Sequence, residues 1–358
     1  MIADRPLPAG YFSRPVHAWR LSGNELLMSS QLVYASRVSG QPKMTRVLRN
    51  SSRITSLCAE VLALFALAPP LSAQESARSL PIFYDSALAA QGFPNPLVKA
   101  RIAGHEAIFI VDSGASVNVF ADWYVDVAGI PAVRSDSAAV DNAGKTAPER
   151  LVHRLQGRWS DGQLFNLNEA IVVAFPPLFK SLHLGGLVSP QLLAPPGMAT
   201  VLDLRAPSLR FVPFARTQSD LQRSQAPTVQ LDLSQPCWNA DSKLVNRRYV
   251  APATTARVTD LMLVDTGATG TILSDTSKIV RAIGSGSEPG PRSEGVGGEA
   301  SGRMVRNVQL LRGGRIVTLN PSIGEVSERC GVQGILGMDA LRTCALILGQ
   351  KEMAFSCD

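Results

Sequence analysis

From about Gln74 onward, Val, Leu and Ile recur in short alternating runs that Pro and Gly interrupt every ten or so positions. Alternation of this period predicts strands with one buried face. Two runs depart from it. Ile108 to Val111 and Leu261 to Val264 are continuously apolar, which predicts a buried strand, and each runs directly into an aspartate, Asp112 or Asp265. After each aspartate comes a short helix-compatible stretch, ADWYVDVAG or SDTSKIVRAIG, then a glycine-bearing segment that predicts a hairpin, VDNAGKTAPERL or EGVGGEASGRMV. An apolar strand leading into a short helix follows, GGLVSPQLL or GILGMDALR, and then a closing hairpin, VLDLRAPSLRFV or ALILGQKEMAF. The same parts thus occur twice in the same order, with the two aspartates 153 residues apart. The pattern predicts an all-β chain of two similar lobes, residues 95–215 and 229–358, joined by the polar linker 216–228.

The first 94 residues read differently. Residues 1–43 are mixed and aperiodic, and we set them aside as a doubtful upstream extension. From Met44, three arginines precede an apolar stretch from Leu57 to Leu71 and a small residue, Ala73, at a plausible cleavage point. That layout predicts a secretory signal over 44–73, and a secreted or periplasmic protein. The stretch contains Glu60 and ends in Pro69 and Pro70, too short and too interrupted for a spanning helix, so no stable membrane association is expected once it is removed. Residues 74–94 read as a leader or pro-like segment.

Composition changes the picture little. The chain of 358 residues is 45% hydrophobic and 18% charged, a globular balance. Its net charge of +6 resides at the front, because beyond Ala73 there are 27 basic against 26 acidic residues. A near-neutral body with 6% aromatics carries no nucleic-acid footprint. The histidines His17, His105, His153 and His183 are scattered without metal-ligand spacing, so neither a metal site nor a cofactor is expected. After signal removal four cysteines remain, an even set suited to an oxidising compartment. A hairpin turning at Gln350 and Lys351 would set Cys344 opposite Cys357 and leave Cys237 for Cys330; four buried thiols are the alternative.

The aspartates carry the candidate chemistry. Alone, either one reads as a turn residue capping nearby amides. Together, in Asp112-Ser113-Gly114-Ala115 and Asp265-Thr266-Gly267-Ala268, they supply two carboxyls for one site. Held about 3 Å apart, two such groups cannot both ionise, so one serves as an acid while its partner serves as a base. Glycine after the hydroxyl residue is expected to allow a sharp turn with its amide toward the carboxylate.

With both loops and both following apolar-glycine strands in view, each half resembles one subunit of a retroviral-type aspartic protease, and the pair resembles a two-lobed pepsin-like chain. The resemblance covers about residues 95–358. It implies two β-barrel lobes forming a pseudo-dimer with an interlobe cleft, a monomeric chain, and hydrolysis of peptides by water activated jointly by Asp112 and Asp265. It further implies that the Ser113 and Thr266 hydroxyls hydrogen-bond across the lobes and that Gly295, Val296, Gly297 and Gly298 form a flap over substrate, with a weaker counterpart near Asn142 to Lys145. Ala115 and Ala268 stand where pepsin-like enzymes often carry a hydroxyl residue, which implies a milder pH optimum. When GGLV is aligned with GILG, Val188 falls where the second half has Gly337, and a side chain there would displace Asp112. That departure is the main support for the rival reading, a catalytically inactive peptide-binding or scaffold protein.

Overall fold

The computed structural model describes residues 79–141, 143–213, 248–284, 286–290, 293–295, 298–300, 302–312, 315–326, 331–349 and 353–358. The first half contains β1 (Ser79–Pro81), β2 (Leu97–Ile102), β3 (His105–Val111), β4 (Val119–Ala121), β5 (Val133–Val140), β6 (Thr146–Trp159), β7 (Leu164–Val173), β8 (Leu184–Val188), β9 (Met198–Asp203) and β10 (Ser208–Pro213). The second half contains β11 (Val250–Thr254), β12 (Thr259–Val264), β13 (Ile272–Ser274), β14 (Glu288–Pro289), β15 (Ser293–Gly295), β16 (Gly298–Ala300), β17 (Arg303–Met304), β18 (Val308–Arg312), β19 (Arg315–Leu319), β20 (Ser322–Gly324), β21 (Val332–Leu336), β22 (Cys344–Leu348) and β23 (Met353–Cys357). Among the described residues six short helices punctuate them: α1 (Ser86–Ala90), α2 (Asp122–Val127), α3 (Pro177–Ser181), α4 (Pro190–Leu193), α5 (Lys278–Ile283) and α6 (Met338–Leu341).

Local sequence explains the elements. LVKARI in β2 alternates so that Lys99 and Arg101 face solvent while Val98, Ala100 and Ile102 are buried. Ala103 and Gly104, both at positive φ, turn β2 back into β3. In β3 the alternation gives way to the apolar run Phe109, Ile110 and Val111, buried because β3 has β2 on one side and β8 on the other. Phe109, Phe120 and Tyr124 then meet edge-on or tilted, with ring centroids 5.4 to 6.3 Å apart, and anchor α2 on the sheet. Burial pushes the Tyr124 hydroxyl up to about 12, and it donates to His105 O.

Both halves use one strand plan. In the first, β3 runs parallel to β8, β8 antiparallel to β4, and β4 parallel to β7. In the second, β12 runs parallel to β21, β21 antiparallel to β13, and β13 parallel to β20. The registers correspond: Val111 lies opposite Val188 and Phe120 opposite Gly186, as Val264 lies opposite Leu336 and Leu273 opposite Gly334. A third sheet, in the order β1-β10-β9-β22-β23, joins the halves, with Leu202 opposite Leu346 at its middle. The chain therefore has an all-β, two-lobed, retropepsin-like fold.

Residues 79–94 pack on this body. Leu80 in β1 is buried opposite Leu209, and the Tyr84 hydroxyl donates to Leu204 O. Asp85 caps α1 by accepting from Ala87 N and Leu88 N. Leu88 is buried with Leu97, Ile110, Phe179 and Leu184. At the other end of the chain, Cys344 and Cys357 face each other in register on β22 and β23 and form a disulfide. Closing a loop of 13 residues contributes about 3 kcal/mol. Cys237, Cys330 and the linker 216–228 lie outside the described residues.

Candidate active site

The two aspartates leave the carboxyl ends of equivalent strands. Asp112 N donates to Val188 O at 2.9 Å and Asp265 N to Leu336 O at 3.1 Å, so each loop starts from the parallel pair beneath it. Each loop then turns around its own carboxylate. Gly114 N and Ala115 N donate to Asp112 Oδ1 at 2.8 and 3.0 Å, and Gly267 N and Ala268 N donate to Asp265 Oδ1 at the same two distances.

Reciprocal hydrogen bonds lock the loops together. Ser113 N donates to Thr266 Oγ1 and Thr266 N to Ser113 Oγ, at 3.0 and 3.1 Å. Each hydroxyl in turn donates across to the other lobe, Ser113 to Val264 O at 2.8 Å and Thr266 to Val111 O at 2.7 Å. Both residues are fully buried, so every one of these groups depends on its partner.

The carboxyls meet at the centre of this lock, where Asp112 is hydrogen-bonded to the Asp265 side chain. Asp112 is 7% and Asp265 3% exposed. Burial first, and the Asp265 charge second, hold the Asp112 carboxyl well above the ordinary carboxylate range, against the lowering pull of the Gly114 and Ala115 amides. The sequence reading named repulsion between like charges as the cause; desolvation is the larger one.

The glycine amides face the carboxylates as expected, but it is space and not the turn that requires glycine. Neither Gly114 nor Gly267 has a positive φ. A Cβ on Gly114 would instead lie 2.4 Å from Asp265 Cγ, and one on Gly267 would lie 2.4 Å from Asp112 Cγ. Each glycine leaves the space that the opposite lobe's carboxyl occupies.

The expectation for Val188 is corrected by the registers. Val188 pairs with Val111 as Leu336 pairs with Val264, so its counterpart is Leu336 and not Gly337. Its side chain is buried in the main core and its carbonyl holds Asp112 N, so it displaces nothing. Ser189 is the residue that corresponds to Gly337. Ser189 N donates to Asn118 Oδ1 at 2.9 Å, and the Ser189 hydroxyl donates to Ala115 O at 2.8 Å. A Cβ on Gly337, by contrast, would lie 2.4 Å from the carbonyl carbon of Gly270.

Several supporting side chains escaped the sequence reading. Gln191 Nε2 donates to Ser113 O and Ala115 O at 3.2 and 2.9 Å beneath the first loop. In the second lobe Thr271 donates to Asp339 Oδ1 at 2.7 Å, and Gly337 N donates to Thr271 Oγ1. Asn95, wholly buried at the head of β2, reaches from the first lobe into the second and donates to Thr266 O at 2.8 Å and Gly267 O at 2.9 Å. Its Oδ1 is buried without a hydrogen-bond partner, at a cost of about 1–3 kcal/mol. The 153-residue offset was the available signal for Asn118 and Thr271, which it superimposes; only three dimensions reveal Asn95 and Gln191.

Of the flap residues, Gly295 and Gly298 face each other at the end of the β15–β16 hairpin, while Val296 and Gly297 lie outside the described residues. The first-half counterpart is the β5–β6 hairpin. Its turn is held by Asp141, whose Oδ1 accepts from Ala143 N and Lys145 N; Asn142 lies outside the described residues.

Residues 254–340, which include the second loop, β21 and most of α6, match the model of a family described as aspartyl protease. No curated protein matches the chain.

Proposed function

We propose that the protein is an exported aspartic endopeptidase in which Asp112 and Asp265 jointly activate a water molecule. The observation that carries this reading is the meeting of two buried carboxyls, each held by two backbone amides and facing a glycine of the other lobe. A pair that retains one proton supplies both groups that hydrolysis needs without metal or cofactor. The ionised carboxyl takes a proton from water as its oxygen adds to the peptide carbonyl carbon, and the protonated carboxyl gives its proton to the carbonyl oxygen. Return of those protons, one to the leaving nitrogen, breaks the C–N bond.

In this reading an extended peptide lies between the lobes by strand-like pairing, with the glycine-bearing hairpin Ser293–Ala300 closing over it. One chain supplies both loops, so the working unit is a monomer. The Cys344–Cys357 disulfide supports export to an oxidising compartment. The test is titration with a statine-type mimic of the tetrahedral intermediate during digestion of an unstructured protein such as casein. Cleavage that stops at one equivalent of mimic per chain supports the proposal. Cleavage indifferent to the mimic, or none between about pH 3 and about pH 7.5, rejects it.

A further inference from the structure

The segment before β2 fills core positions in the folded body. Leu80, Ile82 and Leu88 are 1%, 5% and 6% exposed, the first two in the main core and the third in the cluster with Leu97, Ile110, Phe179 and Leu184. β1 adds an edge strand to the sheet that joins the halves, with Ser79, Leu80 and Pro81 opposite Arg210, Leu209 and Ser208. Gln163 Nε2 donates to Ser79 O, and Phe83 and Leu97 exchange two backbone hydrogen bonds of 2.9 Å. Phe93 then meets Phe179 edge-on, with ring centroids 5.8 Å apart.

The same segment reaches the second lobe. Tyr84 donates to Leu204 O, and Leu204 N donates to Cys344 O on β22. The Tyr84 ring also faces the guanidinium of Arg342, at the end of α6, 4.8 Å from the ring centroid. One residue thus touches both halves at their joint. Taking away residues 79–93 would strip apolar cover from Leu97, Ile110, Leu184 and Leu209 and remove the Tyr84 donor from Leu204 O.

We propose that residues 79–93 are a retained clasp on the two lobes, present in the working protein, so that proteolytic processing of the exported chain ends before Ser79. The proposal goes beyond the peptidase reading and concerns the maturation of that protein. A pro-segment that silences a peptidase has to leave, and leaving is easy only for a segment laid on a surface that is already complete. Here departure uncovers core side chains and undoes a strand of the joining sheet. Gln91 and Gly92, between α1 and Phe93, are exposed, so hydrolysis of the chain there would sever the clasp without releasing it.

The test inserts a recognition sequence for a site-specific protease between Gln91 and Gly92 of the full chain, cuts the folded protein there, and follows the fragment by gel filtration and intact mass. The fragment is expected to co-elute with the body in buffer and to separate only in denaturant, with kcat/KM for peptide cleavage within about twofold of the uncut protein. The variant with Leu80→Asp and Leu88→Asp, cut in the same way, is expected to lose the fragment and at least about tenfold in kcat/KM. If that variant does not fold, Tyr84→Ala replaces it, and its fragment is expected to separate at lower urea. Intact mass of the exported wild-type protein should place its first residue at or before Ser79. A fragment that leaves the otherwise wild-type body, activity that rises as it leaves, a Tyr84→Ala fragment held as tightly as before, or an active exported species that begins beyond Ser79 overturns the proposal. Retention of the fragment requires no turnover, so a folded protein that cleaves nothing defeats the peptidase reading while the clasp is still decided.

Discussion

The loops at Asp112 and Asp265 hold their carboxylates by equivalent pairs of backbone amides at the same lengths, yet different side chains support them. Beneath the first lie Asn118, Ser189 and Gln191, with amide and hydroxyl donors on loop carbonyls. Thr271, Gly337 and Asp339 lie beneath the second, and Asn95 reaches it from the opposite lobe. The comparison teaches that the symmetry of the site resides in the main chain and in the Ser113–Thr266 lock, where geometry has little freedom. The side chains that support the two loops have diverged around it.

The strongest way to break the symmetric part is to fill either glycine. Gly114→Ala and Gly267→Ala each drive a methyl into the opposite carboxyl, and each is expected to lower kcat/KM at least about 100-fold while the protein remains folded by circular dichroism. Next come the lock residues. Thr266→Val strands Val111 O and Ser113 N, Ser113→Ala strands Val264 O and Thr266 N, and urea unfolding should find each less stable by about 2–4 kcal/mol. Equal losses sharpen the symmetry; a loss confined to one variant breaks it.

Exchange within the diverged shell should be lopsided. Gly337→Ser meets the Gly270 backbone and costs about 1–3 kcal/mol, whereas Ser189→Gly loses one hydroxyl bond and costs about 1 kcal/mol in the same unfolding experiment. The smallest effect is on pH-dependent stability. Because Asp112 is raised in the folded protein, its contribution to stability is fully present at acid pH and is lost as pH rises through its folded value. Asp112→Asn, a neutral mimic of the protonated acid, should therefore match wild type at low pH and exceed it near neutrality. Thermal melts should show a gain of about 2–4 °C for each kcal/mol recovered.

Much of this architecture is legible in the sequence because it depends on local pattern. The apolar runs before Asp112 and Asp265 predict the buried strands that carry them, although Leu261 at the start of the second run is exposed, and the paired Asp-Ser/Thr-Gly loops predict where two carboxyls meet. What was misread depends on register. Aligning GGLV with GILG by their glycines is off by one residue, because Gly186 corresponds to Gly334 and the strand continues to Val188 before the chain turns at Ser189. What was missed depends on contacts between distant segments. Asn95 precedes Pro96 in a stretch that reads as a strand entry, and nothing local indicates that its amide meets carbonyls 171 and 172 residues away. The purpose of Gly114 and Gly267 is hidden for the same reason, since the atoms that exclude a side chain lie in the other half of the chain.

The central claim is that Asp112 and Asp265 act as one unit, and the most direct measurement is peptide cleavage by wild type, Asp112→Asn, Asp265→Asn and the double variant at the wild-type pH optimum. Each single substitution is expected to lower kcat/KM by at least about a thousandfold, with the double variant no lower than either single one. Full cleavage by either single variant, or losses that multiply in the double variant, would contradict a shared catalytic pair.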